Sequence, residues 1–122
     1  AGAAWRSWPT RRRFVVNVTS PEGQFSANKT GEHVHTNMAK ASLNMLTRTL
    51  AAAWCSLGVF VSSVDTGWVS RMRPTPGGLM SERPPLSCDD GAARVLAPVF
   101  DGLGDALPAS GVLFQHFTVA PW

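Results

Sequence analysis

The chain has 122 residues, 44% of them hydrophobic, with 11 lysines and arginines against 8 acidic residues and a net charge of +3. This is enough for one small globular domain and too little for two. The mild charge, not interleaved with aromatics along a face, argues against a nucleic-acid surface; no apolar run reaches the ~18 residues of a membrane span; and Cys55, Cys88, His33, His35 and His116 lack metal-ligand spacing, so no metal site is expected.

In chain order, residues 1–11 read as an irregular segment. Trp8-Pro9 forbids regular helix just before Arg11, Arg12 and Arg13, whose charges are read as solvated. The segment has neither an initiator Met nor the apolar centre of a signal peptide, and the expectation is an intracellular protein, cytoplasmic or organellar, that begins inside a longer one. A domain is expected over residues 12–122. Its first strand, near residues 12–19, is almost continuously apolar from Phe14 to Val18, the pattern of a strand buried on both faces. Ser20, Pro21, Glu22 and Gly23 end it with turn chemistry, and a polar connection holding Lys29 and Gly31 follows.

Ala39, Leu43, Leu46, Leu50 and Trp54 then recur at helical spacing in a stretch free of Gly and Pro. They predict a long helix, N-capped by Thr36 or Asn37 and ending near Cys55 or Ser56. Thr36, Lys40, Asn44 and Thr47 form a polar strip beside the apolar stripe. Met38, Ala41, Met45 and Ala52 widen the apolar surface beyond what one sheet face would cover, which implies a second helix or a partner. Residues 58–64 predict a second strand, so strand, helix and strand make a right-handed βαβ unit with parallel strands. Asp65, Thr66 and Gly67 mark the carboxyl end of that strand, where ligands of open α/β sheets sit.

Residues 71–86 hold four prolines and two glycines without periodicity and read as a long loop. Ser87 is the predicted N-cap of a second helix with Asp89 and Asp90 in its first turn and Pro98 kinking or loosening its end. Residues 111–119 predict a third strand. The fold class is α/β: half of a Rossmann-like, doubly wound parallel sheet with three strands and two main helices.

Three local patterns resemble the carboxyl-terminal half of the short-chain dehydrogenase/reductase family, over about residues 13–122. Ser20 and Gly23 close a strand as in the family's Ser-Ser-x-x-Gly; Thr36 and Lys40 stand where the family has Tyr-x-x-x-Lys on a helix; Asp65, Thr66, Gly67 and Val69 are similar to its Val-x-Pro-Gly-x-Val segment, with Thr in place of Pro. The resemblance implies that Ser20 hydrogen-bonds a substrate carbonyl and that Lys40 binds the nicotinamide ribose, with Asp65, Thr66 and Gly67 beside the cofactor. It implies NAD(P) for a full-length form and hydride transfer between that cofactor and a carbonyl or alcohol. At the phenol's position stands Thr36, and the chain contains no tyrosine. It is thus similar to an atypical branch with Thr for the catalytic Tyr. Because a phenol titrates near ~10 and an aliphatic hydroxyl far above, Thr36 is a poor general acid and reads equally as a helix cap.

The family's Gly-rich phosphate-binding turn has no counterpart; Gly77-Gly78 lies between prolines and not between strand and helix. No cofactor is therefore expected on this chain alone. Two readings follow: a fragment of an oxidoreductase that acts with its missing amino-terminal half, or a catalytically inactive relative serving as a structural subunit. In either case the expected partner is that missing half, a second copy, or a larger assembly.

Overall fold

A computed structural model describes residues 11–70, 83–104 and 106–122. The irregular segment expected over residues 1–11 thus lies, but for Arg11, outside the described residues, as does most of the loop expected over residues 71–86.

Strand β1 (Arg13–Thr19) leads through a single 3-10 turn (Pro21–Gly23) into helix α1 (Val34–Cys55), which returns to strand β2 (Val59–Asp65). Helix α2 (Cys88–Gly102) follows, then β3 (Leu113–Gln115) and β4 (Thr118–Ala120). The sheet order is β1-β2-β3-β4, with β1, β2 and β3 parallel and β4 antiparallel to β3. The α/β architecture expected from the sequence is the one observed, with a fourth strand added.

That fourth strand corrects the reading of residues 111–119 as one continuous strand. His116 and Phe117 both adopt left-handed backbone (φ 49° and 66°) and fold the run into a two-residue hairpin. Such hairpins usually announce themselves by Asn-Gly or Asp-Gly. Here a bulky pair takes the same conformation, which is unusual for Phe, and the Arg94 guanidinium lies over the Phe117 ring at 4.9 Å.

The core is centred on β2 and not on β1. Phe60, Val61, Val64 and Leu113 are the buried apolar side chains, and β2 is buried almost end to end. Strand β1 has the apolar composition of a central strand but sits at the sheet edge, half-buried, with Val18 exposed. Its apolar run therefore does not mean burial on both faces in this fold.

Helix α1 reverses the predicted orientation. Its two buried residues are Asn44 and Thr47, so the polar strip, and not the apolar stripe beside it, is the side most deeply packed on the sheet. Leu43, Leu50 and Trp54 are half-buried beside it, whereas Ala39 and Leu46 of the expected apolar stripe are exposed, with Val34, Met38 and Met45. The helix also starts earlier than expected. His33, left-handed at φ 59°, is the N-cap and gives no side-chain bond, which leaves Thr36 and Asn37 inside the first turn. Neither is the cap.

Helix α2 follows the sequence more closely. Ser87 Oγ accepts a hydrogen bond from the Asp90 N–H (3.1 Å), and Asp90 Oδ2 accepts from the Ser87 N–H (2.8 Å), a reciprocal capping box. The helix continues through Pro98 to Gly102. At its far end Arg12 Nη1 donates to the carbonyls of Gly102, Gly104 (2.7 Å) and Ala106 (3.2 Å). One guanidinium thus serves the carbonyls that a helix terminus leaves unpaired, so Arg12 is not the solvated charge expected.

Two outcomes follow. Arg12→Ala should lower the unfolding free energy by about 1.5–3 kcal/mol, the range for hydrogen bonds to charged groups, as read by urea titration; an unchanged midpoint would refute the capping role. The Asp90 carboxyl is held below its ordinary value near 3.8, first by the Ser87 backbone N–H and then by the Ser87 hydroxyl. A depressed carboxyl stabilises the fold above its unfolded pKa and loses that contribution as pH falls through the folded one. Asp90→Asn should therefore melt earlier than the parent at neutral pH, and the gap should close in acid.

Candidate functional site

The carboxyl ends of β1, β2 and β3 form one edge of the sheet, where Thr19 pairs with Asp65 and Asp65 with Gln115 in register. Ser20 follows Thr19 directly, Thr66 and Gly67 follow Asp65, and His116 follows Gln115. The residues singled out from the sequence thus fall into two groups on this edge, one at β1 with α1 and one at β2 with β3.

In the first group Ser20 precedes the 3-10 turn, with extended backbone. Its Oγ is out of solvent and has no partner at hydrogen-bond distance, like Thr19 Oγ1 and Asn44 Oδ1. Short of well-formed hydrogen-bond geometry, the hydroxyl still lies close enough to Glu22 to be the chief cause that holds its carboxyl below the usual carboxylate range, against partial desolvation and with help from the Glu22 backbone N–H. Gly23 brings the turn onto α1: a Cβ there would meet the Lys40 carbonyl carbon at 2.7 Å and the Lys40 Cβ at 2.8 Å. Asn44 Nδ2 donates to the Gly23 carbonyl (3.1 Å) and fastens the approach. Lys29 Nζ adds bonds to the carbonyls of Pro21 (2.9 Å) and Glu22 (3.0 Å).

The Lys40 backbone therefore stands against the turn that follows Ser20. Lys40 Nζ donates to the Val18 carbonyl (3.0 Å). Thr36 lies one helical turn earlier on the same face and is half-buried. Among the described residues no hydrogen bond joins Thr36 to Ser20 or Lys40.

In the second group the Asp65 side chain is buried, and both oxygens are used: Oδ1 accepts from the Gly67 N–H (2.8 Å) and Oδ2 from Gln115 Nε2 (2.9 Å). Thr66 Oγ1 donates to the Gly67 carbonyl (3.0 Å). Gly67 is left-handed at φ 72°, and a Cβ on it would meet the Leu86 side chain at 2.8 Å and His116 Cε1 at 4.0 Å. Asp65 thus shapes the strand-end turn.

Asn44 and Gln115 are the supporting residues that sequence reading missed as such. For Asn44 a signal existed, its place on the polar strip of α1. Gln115 could be paired with Asp65 only after the register of β2 and β3 was known. Among the described residues no group of His, Cys, Asp or Glu could hold a metal ion, Cys55 and Cys88 are free, and no helix is long and apolar enough to cross a membrane.

No family model matches the sequence. A protein of Acanthamoeba polyphaga mimivirus, itself uncharacterised, is 35% identical over 107 residues, covering 75% of this chain and 22% of that protein. Among solved structures, the NADPH-bound carbonyl reductase from chicken fatty liver is similar with a TM-score of 0.66 and 23% identity, over 98% of this chain and 47% of that one. The chain thus spans about half the length of the reductase and under a quarter of the viral relative. The structural likeness shows the fold, an α/β arrangement consistent with half of a Rossmann-like domain.

Gly23→Ala tests the junction. With backbone in the way, the 3-10 turn must move off α1, and overpacking of this kind costs about 1–3 kcal/mol. The Asn44–Gly23 bond should be lost, read as faster exchange at the turn; unchanged stability and exchange would show that the turn does not depend on this approach.

Proposed function

We infer that this chain is the carboxyl-terminal half of an oxidoreductase of short-chain dehydrogenase/reductase type, supplying the substrate-side wall of a site completed by a nucleotide-binding half. The observation that carries this is the turn that follows Ser20 at the carboxyl edge, brought by Gly23 into contact with the Lys40 backbone, with the Ser20 hydroxyl out of solvent and making no well-formed hydrogen bond. A buried hydroxyl left without a bond costs stability unless something else takes it. A carbonyl oxygen entering from the open side is such an acceptor.

The residues fit the nicotinamide end of a dinucleotide and not its pyrophosphate. Lys40 would hold ribose hydroxyls and the turn at Asp65, Thr66 and Gly67 would flank the ring, but no glycine-rich strand-to-helix turn is found among the described residues. When bound, the nicotinamide gives or takes a hydride. Ser20 would then donate to the substrate oxygen and orient the carbonyl. Thr36 does not share the proton work, its hydroxyl being far less acidic than a phenol.

The second reading, a catalytically silent subunit, is favoured by that same Thr36 and by the engagement of Lys40 with a backbone carbonyl. One series of variants in the protein containing both halves separates the two. On the oxidoreductase reading Ser20→Ala lowers kcat for carbonyl reduction about 10²-fold, as for loss of one oxyanion donor. Lys40→Ala weakens NADPH binding about tenfold, roughly 1.4 kcal/mol, and Thr36→Val changes turnover little. Absence of turnover in the parent across aldehydes and ketones would leave the silent subunit as the better reading.

A further inference from the structure

Ser20 can hold a carbonyl oxygen, but reducing that carbonyl also takes a proton, and the Thr36 hydroxyl is too weak an acid to give one. The chain has no tyrosine. Of the titratable side chains at the carboxyl edge, Asp65 is buried with both oxygens accepting hydrogen bonds, and Lys40 Nζ is bonded to the Val18 carbonyl. The Glu22 carboxyl, held below its usual range first by the Ser20 hydroxyl, is ionised at neutral pH and has no proton to give. His116 follows β3, two strands away from Ser20.

His33 is placed differently. It is the N-cap of α1, and at about 3.6 residues per turn it continues the line of Lys40 and Asn44, the side of the helix that meets β1 and the turn after Ser20. His35 falls on the opposite side and is exposed. The His33 imidazole is not spent on the fold. It gives α1 no cap bond, its Nε2 stands 3.9 Å from Glu32 Oε2, beyond hydrogen-bond reach, and the side chain is half exposed. Around it stand the carboxylates of Glu22 and Glu32 and the ammonium groups of Lys29 and, two turns along α1, Lys40. Glu22 is the link to the site, because its carboxylate feels the Ser20 hydroxyl most strongly and His33 as well.

We propose that His33 is the general acid of this site, giving the proton to a carbonyl oxygen held by Ser20. This rests on the function proposed above. As the carbonyl carbon takes the hydride, the electron pair of the C=O π bond passes to oxygen, which takes a proton from the imidazolium. A C–H and an O–H bond form, one ring N–H breaks, and the neutral imidazole regains its proton from solvent. Imidazole suits the task because it is the side chain that exchanges a proton near neutral pH.

The test uses the protein containing both halves, with NADPH and a panel of aldehydes and ketones. His33→Gly fits the left-handed backbone of that position (φ 59°), so the helix start survives loss of the ring. It should lower kcat about 10²-fold with KM little changed, and free imidazole should restore at least ~tenfold of the loss, while His35→Gln behaves as the parent. In the parent, kcat for reduction should fall as pH rises through the imidazole range, since only the imidazolium carries the proton, and that limb should vanish in His33→Gly. Bound NADPH and alcohol product should also slow carbethoxylation of His33 by diethyl pyrocarbonate, followed by mass spectrometry, and leave His35 reactive. A kcat equal to the parent's in His33→Gly, or a loss that imidazole does not relieve and that keeps the pH limb, overturns the general acid and leaves the oxidoreductase reading standing. So does equal carbethoxylation with and without the ligands. A parent that reduces none of the panel overturns that reading and the general acid with it.

Discussion

The structure hangs on one hydroxyl. Thr47 Oγ1, fully buried on α1, accepts from Asn17 Nδ2 of β1 (2.9 Å) and shares a hydrogen bond with Ser63 Oγ of β2 (2.8 Å). Asn17 and Ser63 are register partners, so a single side chain joins the helix to both parallel strands at the same level. Each such bond contributes only about 1 kcal/mol net, but removing a partner strands the others at about 1–3 kcal/mol. Apolar packing would tolerate a helix that slides or rolls; a directional bond does not. With Thr47 fixed, Asn44 comes to Gly23 and Lys40 comes over the end of β1, one and two turns closer to the helix start.

That polar fastening also explains which parts of the fold were legible in the sequence. The βαβ order, the capping of α2 by Ser87 and the strand-end position of Asp65, Thr66 and Gly67 follow from local chemistry, which residue type and spacing record directly. The face of α1 did not, because the usual rule places apolar residues inward and here Asn44 and Thr47 are inside while Met38 and Met45 are out. The rule fails where buried polar groups satisfy one another. The break at His116 and Phe117 was hidden for a different reason: nothing in an aromatic dipeptide announces left-handed backbone, and the contact with Arg94 comes from a helix distant in sequence.

At the candidate site the sequence supplied the residues and the structure supplied their relations. Ser20, Lys40 and Gly67 were recognisable from motif-like spacing. That Gly23 is needed for contact with the helix backbone, that Asp65 is consumed by Gly67 and Gln115, and that Lys40 answers to an edge carbonyl all depend on register and crossing geometry. Of the four unpartnered buried side-chain atoms among the described residues, Thr19 Oγ1, Ser20 Oγ and Asn44 Oδ1 fall where β1 ends and α1 passes, and the fourth, Arg94 Nε, lies on α2.

Strand β1 is also clasped at both ends by residues far along the chain. Before it, Arg12 reaches the carbonyls of Gly102, Gly104 and Ala106; after it, Gln24 Nε2 bonds Pro121 O (3.0 Å) and the Ser26 N–H bonds Trp122 O (3.2 Å). These contacts span 90 to 97 residues of sequence. Of the strands described in this chain β1 leaves the ribosome first, yet neither clasp can close until nearly all of the residues that follow it have emerged. Loop closure over such distances adds an entropic barrier that grows with the logarithm of length, and folds dominated by distant contacts form slowly. Among these strands the first to be made is then the last to be locked, and for that interval its apolar edge depends on whatever else can shield it.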